Sequence, residues 1–444
     1  QAEDGIRDIH SLWTMIENRR TTVNGRIIVG GKGRKHPKEA DVFLHIAMKV
    51  AKNCRYVEPQ FTLRFDKETS EEIWDEALDA LGAGATYPTL YNDDVNVPAV
   101  MYGMRVDEKT AEQYVPFGCT EFVIQGQSTG TPNICINLLK LLTIYMNDGI
   151  DPIDGKRKSG PVPLKKLEEY QTFEEFYDGY KALLDYYLDL SVKAQYHSYE
   201  VMNQHVSFLF TSLLTDDCIA RGKALLDGGV RYLGGTNETY GNINTSDSLW
   251  VIRDLVFNQK KYTLRQLNDA MLANFNGYEA LRKDCLNCDK YGNDLETADT
   301  MANDLYEFVA KGVRDRGIAI GMQYFLIVIS NNQLNTEWGN RTAASPDGRL
   351  SCMYMNPANN PQGGANKSGP TAMLNSLAKF DAKYHGGSVQ NIKFSPSMFN
   401  ENRAVIKSLF KTYFAKGGCH LMVTVVDKGV LEDAVEHPEN YPDL

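Results

Sequence analysis

The segment Pro116–Phe122, PFGCTEF, sets a thiol, Cys119, two positions before a carboxylate, Glu121, with Gly118 and Pro116 just ahead. A bare C-x-E pair also describes a small buried cysteine with an acidic neighbour. The chemistry narrows the choice. Thiolate catalysis needs a lowered thiol pKa, and a nearby negative charge raises it. The pair therefore suits a neutral thiol, or a sulfur radical that takes a hydrogen atom from substrate while the carboxyl handles a proton. If the segment is extended, Glu121 points the same way as Cys119.

Other chemistry-bearing patterns are weaker. CLNC (285–288) has metal-knuckle spacing, but no second CxxC or HxxxH supplies the two further ligands that zinc needs. The histidines are isolated. His205 reads as a satisfied core or surface residue, and His385, His420 and His437 form no HExxH. Three Gly/Asn-rich loops (228–248, 337–349 and 356–372) match neither GxxxxGK[ST] nor a strand–GxGxxG–helix unit, which argues against a nucleotide site. Within the first of them, NETYGNIN (237–244) is a weak candidate pocket lining.

The elements that must position the pair follow from periodicity. Residues 40–54 read as a helix, PQFTLRF (59–65) as a strand, and 70–84 as a helix opened by Ser70 and closed by Gly82. Residues 133–149, directly after the PFGCTEF turn, read as one amphipathic helix. Residues 150–170 are a surface loop, and 173–214 and 262–284 are helical tracts. IAIGMQYFLIVIS (318–330) is too short to span a bilayer and reads as a buried strand or core helix, and LMVTVVD (421–427) as a buried strand. Helices alternating with short strands predict an α/β fold with a largely parallel sheet or barrel.

The 444 residues exceed one small core, and 43% hydrophobic with 23% charged residues is the balance of a soluble globular protein. A net charge of -10 argues against nucleic acid as partner, and no secretory signal opens the chain. Eight cysteines scattered over this length predict reduced thiols and a cytoplasmic setting rather than a disulfide framework. Gln1–Asp8 translates an adapter oligonucleotide used in short-read sequencing, so residues 1–8 are expected to be an artefact with no part in the fold.

Seven segments in order resemble the glycyl radical enzymes, the family of pyruvate formate-lyase, the diol and choline dehydratase/lyases and the arylacetate decarboxylases. They are PQFTLRF, YPTLYNDD (87–94), YVPFGCTEF, DGGVRYL (227–233), TAASPDGR (342–349), KSGPTAMLNSLAKFD (367–381) and GGCHLMVTVVD…LEDAVEHPENYPDL (417–444). The resemblance implies part of a ten-stranded α/β barrel, its amino-terminal half missing, with the cysteine finger loop in the lumen. It implies Cys119 as the thiyl-radical residue and Glu121 as general base or acid. No cofactor is expected to be bound; a protein glycyl radical, installed by a radical S-adenosylmethionine activase, would serve. A small-molecule substrate, a homodimer, no metal, no nucleic acid and no membrane complete the expectation.

The resemblance divides the chain into a partial barrel domain (9–340) and a glycine radical domain (341–444) truncated before its glycine. The family's R-V-x-G-Y motif does not follow HPENYPDL, which predicts a fragment inactive alone. C-x-E resembles the dehydratase/lyase and decarboxylase branches, whereas a Cys-Cys pair resembles pyruvate formate-lyase. GCTEF departs from the GCVEP that most dehydratases resemble, and VIQGQSTGTPN departs from the same pattern, so the substrate stays open. The expected function is anaerobic C–O, C–N or C–C cleavage of a small polar substrate. The alternatives are an arylacetate-type decarboxylase, a formate acetyltransferase, and a non-catalytic barrel remnant needing a separate glycine domain.

Overall fold

A computed structural model describes residues 2–19, 25–130 and 132–441. Eleven strands lie among them: β1 (Arg26–Gly30), β2 (Gln60–Phe65), β3 (Thr89–Asn92), β4 (Tyr114–Phe117), β5 (Glu121–Ile124), β6 (Pro132–Asn137), β7 (Gly234–Tyr240), β8 (Tyr324–Ile329), β9 (His385–Ser388), β10 (Asn391–Phe394) and β11 (His420–Val425).

The strands form two larger sheets and a hairpin. The first sheet runs β1-β2-β3-β11-β10, with β11 antiparallel to β3 and the other neighbours parallel. The second runs β6-β7-β8-β9, all parallel. β9 and β10 are consecutive stretches of one segment that crosses between the sheets. Val389 N donates to Ile329 O (3.1 Å) on the β8 side, and Met422 N donates to Gln390 O (2.8 Å) on the β11 side. Among the described residues the strands make two joined open sheets rather than a closed barrel. The α/β class is as expected, and open sheets are what part of a barrel presents: no closed barrel forms among the described residues.

Buried strands covered by helices explain the apolar runs. Pro37–Cys54 and Glu71–Gly82 contribute Leu44, Met48, Trp74 and Leu78 to a core with Phe61, Leu63 and Phe65 of β2. Ser70 Oγ caps the second of these helices by accepting from Ile73 N (3.3 Å). Phe173–His205 and Glu296–Ala319 join the same core beside β8, which is buried along its whole length.

Three elements differ from the sequence reading. Residues 133–149 are not one helix: Pro132–Asn137 is strand β6, and Asn137 Oδ1 then caps Leu138–Met146 by accepting from Lys140 N (2.9 Å). Ile134 and Ile136 satisfy either period, and pairing with β7 decides for the strand. The tract 173–214 breaks after His205, and 262–284 holds separate helices, Leu264–Leu272 and Glu279–Asn287. The helix Ala2–Arg19 includes most of the adapter-like stretch, and Ile6 as well as Ile9 packs against the core that buries Trp13.

Candidate active site

Cys119 sits at the tip of the β4–β5 hairpin. Phe117 pairs with Glu121, leaving Gly118, Cys119 and Thr120 as the turn. Gly118 (φ 51°) and Thr120 (φ 86°) are both in the left-handed region. Glycine adopts it freely, whereas Thr120 holds a β-branched side chain there under strain. The segment is therefore not extended through Cys119, and strands β5 and β6 intervene before the next long helix. Glu121 folds back over the turn: a Cβ on Gly118 would lie 2.7 Å from Glu121 Oε2.

Two arginines of the first sheet hold the hairpin. At its base Arg64 is 6% exposed and pairs bidentately with Asp93, Nε to Oδ1 (2.9 Å) and Nη2 to Oδ2 (2.7 Å). Its Nη1 donates to Tyr114 O (3.0 Å), and Tyr114 Oη donates back to Asp93 Oδ1 (2.8 Å). At the tip Arg26 Nη2 donates to Gly118 O (2.8 Å), while Nη1 reaches Tyr91 Oη (3.2 Å) and Thr62 Oγ1 (3.3 Å). Arg64 belongs to the PQFTLRF segment. No motif flagged Arg26.

The second sheet closes on the turn from the other side. The Ser330 hydroxyl and the Asn331 peptide N–H, just past β8, lie against the Cys119 thiol. Gly387 of β9 has φ 149°, and a Cβ there would sit 2.3 Å from Thr120 O, so only glycine lets β9 approach this closely. The hairpin touches both sheets and lies between them.

Burial sets the protonation states. Glu121 is 3% exposed. Burial pushes its pKa up to about 8; Glu238 adds to the rise and Arg26 opposes it. Glu121 Oε2 has no hydrogen-bond partner among the described residues. Burial, then Glu121 and Glu238, push the Cys119 thiol up to about 12. At neutral pH the site holds an S–H group and a protonated carboxyl. His385 and His420 are buried and neutral, pushed down to about 4 and about 3 by burial. Gly387 N donates to His385 Nδ1 (3.0 Å) and Gln390 N to His420 Nδ1 (3.1 Å), so each ring carries its proton on Nε2.

Glu238 is the group sequence reasoning missed, although the NETYGNIN segment contains it. It lies on β7 directly opposite Cys135 of β6. Cys135 Sγ approaches Glu238 Oε2 (3.5 Å), Tyr240 Oη donates to the same oxygen, and Asn332 Nδ2 donates to Tyr240 Oη (2.9 Å). Only strand register brings this set beside Cys119, so no spacing in the chain could have revealed it. The CLNC cysteines are placed apart from it: Cys285 is buried in the core and Cys288 turns toward Asp284 O (3.4 Å). His205 is exposed at a helix end.

A neutral thiol, a proton-bearing carboxyl and an enclosing pair of sheets are the requirements for hydrogen-atom chemistry rather than thiolate attack. The family model described as pyruvate formate lyase-like matches residues 10–334. The chain belongs to this family. A second model, glycine radical, matches residues 355–444 of this pyruvate formate lyase-like chain. The expectation of a chain inactive because its glycine radical domain is truncated before the glycine finds no support there.

Trans-4-hydroxy-L-proline dehydratase of Clostridioides difficile is 28% identical over 403 residues, 90% of this chain and 51% of the relative. The 4-hydroxyphenylacetate decarboxylase glycyl radical subunit of Clostridioides difficile (strain CD196) is 25% identical over 468 residues, 94% and 51% of the two. Among solved structures, the glycerol-bound B12-independent glycerol dehydratase of Clostridium butyricum superposes with a TM-score of 0.85 at 28% identity, covering 94% of this chain and 53% of the other. Hydroxyproline dehydratase of Clostridioides difficile superposes at 0.87 and 26% identity, covering 97% and 55%. The pyruvate formate lyase-like chain spans about half the length of the curated relatives it matches.

Proposed function

We propose that this chain serves a glycyl radical enzyme of the dehydratase/lyase kind, acting on a small polar substrate in an anaerobic cytoplasm. A radical held on a glycine, installed by a separate radical S-adenosylmethionine activase, would supply the oxidising equivalent. Residues 9–340 form the barrel part and 341–444 the glycine radical part of this reading, with a homodimer as the expected assembly.

Cys119 is the hydrogen-atom carrier. Loss of H• from its S–H bond leaves a thiyl radical. The thiyl takes H• from a substrate C–H bond, which re-forms S–H and leaves the unpaired electron on carbon. The adjacent C–O bond then breaks as Glu121 donates its proton to the departing hydroxyl, and water leaves. Return of H• from Cys119 to the product radical closes a redox-neutral dehydration. Glu121 recovers its proton from the O–H or N–H group that the substrate carries beside the radical carbon.

The burial of the Glu121 carboxyl at the thiol turn, its Oε2 without a partner among the described residues, is the observation that carries this reading. A buried carboxyl with its pKa near 8 is an acid at neutral pH, as a leaving hydroxyl requires. A decarboxylase that begins by drawing a proton off its substrate needs the ionised form. Formate acetyltransferase chemistry resembles a second thiol beside the first, and position 118 is glycine.

The test is anaerobic incubation of the chain with activase and S-adenosylmethionine, followed by hydroxyproline, glycerol, 1,2-propanediol or 4-hydroxyphenylacetate. Loss of water from one of the first three, absent in Cys119→Ala, supports the proposal. Product formation that survives Cys119→Ala, or turnover of 4-hydroxyphenylacetate alone, overturns it.

A further inference from the structure

A cavity of about 520 Å³ opens between the helix Glu279–Asn287, the Ser345–Tyr354 loop and the glycine-rich 362–368 segment, and neither Cys119 nor Glu121 lines it. Its volume falls in the range of small-molecule sites. The functional reading above does not use it.

Its polar groups are unevenly satisfied. Asp247 lines the cavity and is 1% exposed. Its Oδ1 accepts from Tyr291 N (2.9 Å), but Oδ2 is buried without a partner. A buried acceptor left unpaired is costly, so a donor from within the cavity would stabilise it. Lys290 also lines the cavity, donates to Cys285 O (2.6 Å), and is 7% exposed. Its ammonium disfavours a cationic ligand beside Asp247, which leaves hydroxyl donors. Arg282 and Lys367 also line the cavity, and neither pairs with a carboxylate among the described residues. Arg282 uses Nε on Gly348 O (2.9 Å) and keeps the rest of its fork for an anion. Leu286, Met353 and Tyr354 supply apolar wall.

We propose that this cavity binds a phosphomonoester of a hydroxylated ring, its phosphate on Arg282 and Lys367 and a ring hydroxyl donating to Asp247. The site is wired to the thiol loop. Asp347, another lining residue, accepts from Asn244 Nδ2 (2.6 Å), Asn244 Oδ1 accepts from Asn356 N (2.7 Å), and Asn356 O accepts from Asn335 Nδ2 (2.8 Å). Asn335 Oδ1 accepts from Asn332 N (3.2 Å), and Asn332 contacts Tyr240, the partner of Glu238. A ligand ordering Asp247 and Asp347 therefore bears on the carboxyl pair at Cys119.

Equilibrium dialysis of the intact chain against labelled adenosine monophosphate and glucose 6-phosphate tests the site. Binding of either supports it and separates a nucleotide from a sugar phosphate. Lys367→Glu should weaken binding at least about tenfold, since a charge-assisted contact to the phosphate becomes a repulsion, and Asp247→Asn should weaken it less, since burial pushes Asp247 up to about 7. Bound ester should also slow iodoacetamide labelling of Cys288, which lines the cavity, and leave Cys54 unaffected. Lys367 is exposed, so its variant reports even if Asp247→Asn does not fold. Failure of both esters to bind at millimolar concentration, inorganic phosphate binding as tightly as either ester, or full affinity in Lys367→Glu overturns the proposal.

Discussion

Glu121→Gln removes one titratable proton from the candidate site and keeps the shape of the protonated carboxyl. The ordinary glutamate value is 4.5, and the buried group sits at about 8. The sign follows from proton binding. Between these values the folded chain holds a proton that the unfolded chain has released, so rising pH favours unfolding. Below 4.5 the penalty vanishes, and above 8 it is complete. Linkage gives a destabilisation of about 1 kcal/mol at pH 5 and about 3 kcal/mol at pH 7. Glutamine carries none of it. Glu121→Gln should therefore be more stable than the parent at neutral pH, by about 3 °C in melting temperature for a chain of 444 residues. The gain should shrink toward pH 5. Calorimetric melts of both proteins at pH 5, 6, 7 and 8 measure this. Parallel melting curves, or a variant less stable at pH 7 than at pH 5 relative to the parent, would show that Glu121 is ionised in the fold. The acid role assigned to it would then fail.

Four further outcomes are expected. Cys119, with its thiol near 12, should react with iodoacetamide at pH 8 about a thousandfold more slowly than free cysteine; peptide mapping reads the rate, and a fast Cys119 would contradict a neutral thiol. Gly387→Ala places a Cβ against Thr120 O at 2.3 Å, so the urea midpoint should fall by the equivalent of about 1–3 kcal/mol; an unchanged midpoint would mean that β9 and the hairpin are not in contact. Arg26→Met removes the contact to Gly118 O and the cation that lowers Glu121, so an infrared carboxyl titration should place Glu121 higher than in the parent; a lower value would refute the brace. His385, held neutral with a value of about 4 against 6.5, favours unfolding as pH falls, by about 3 kcal/mol at pH 4; His385→Gln should flatten that acid limb in denaturant titrations, and an unaltered limb would place the proton elsewhere.

The fold class was readable from the alternation of helices and short strands, because buried parallel strands leave apolar runs such as YFLIVI. Local signals went wrong where pairing overrides periodicity. Asn133–Asn137 fits a helical face as well as a strand, and its bonds to β7 decide. Cys119 and Glu121 could be singled out because the chemistry of a thiol beside a carboxylate is legible in two residues. Their geometry was not legible, since it depends on Thr120 accepting a left-handed backbone. Arg26 and Glu238 lie 93 residues before and 119 after Cys119, and nothing local marks either one.

Those two residues nonetheless bear on the proton of Glu121, after burial and a backbone hydrogen bond. Arg26 stands on β1 of the first sheet and lowers its pKa, while Glu238 stands on β7 of the second and raises it. Burial supplies the larger part of the shift, and burial itself needs both sheets around the hairpin. The acid at the site is therefore a property of how the sheets are spaced. A change that draws β1 away from Gly118 weakens the opposing cation, which raises the value, and admits water, which lowers it. A change that draws β7 away weakens Glu238 and admits water, and both effects lower it. The proton affinity of one carboxyl thus reports the separation of two sheets joined through the β9–β10 segment. Under the proposed dehydration the proton must be present when the leaving group departs, so the same spacing that places the thiol between the sheets would also arm the acid beside it.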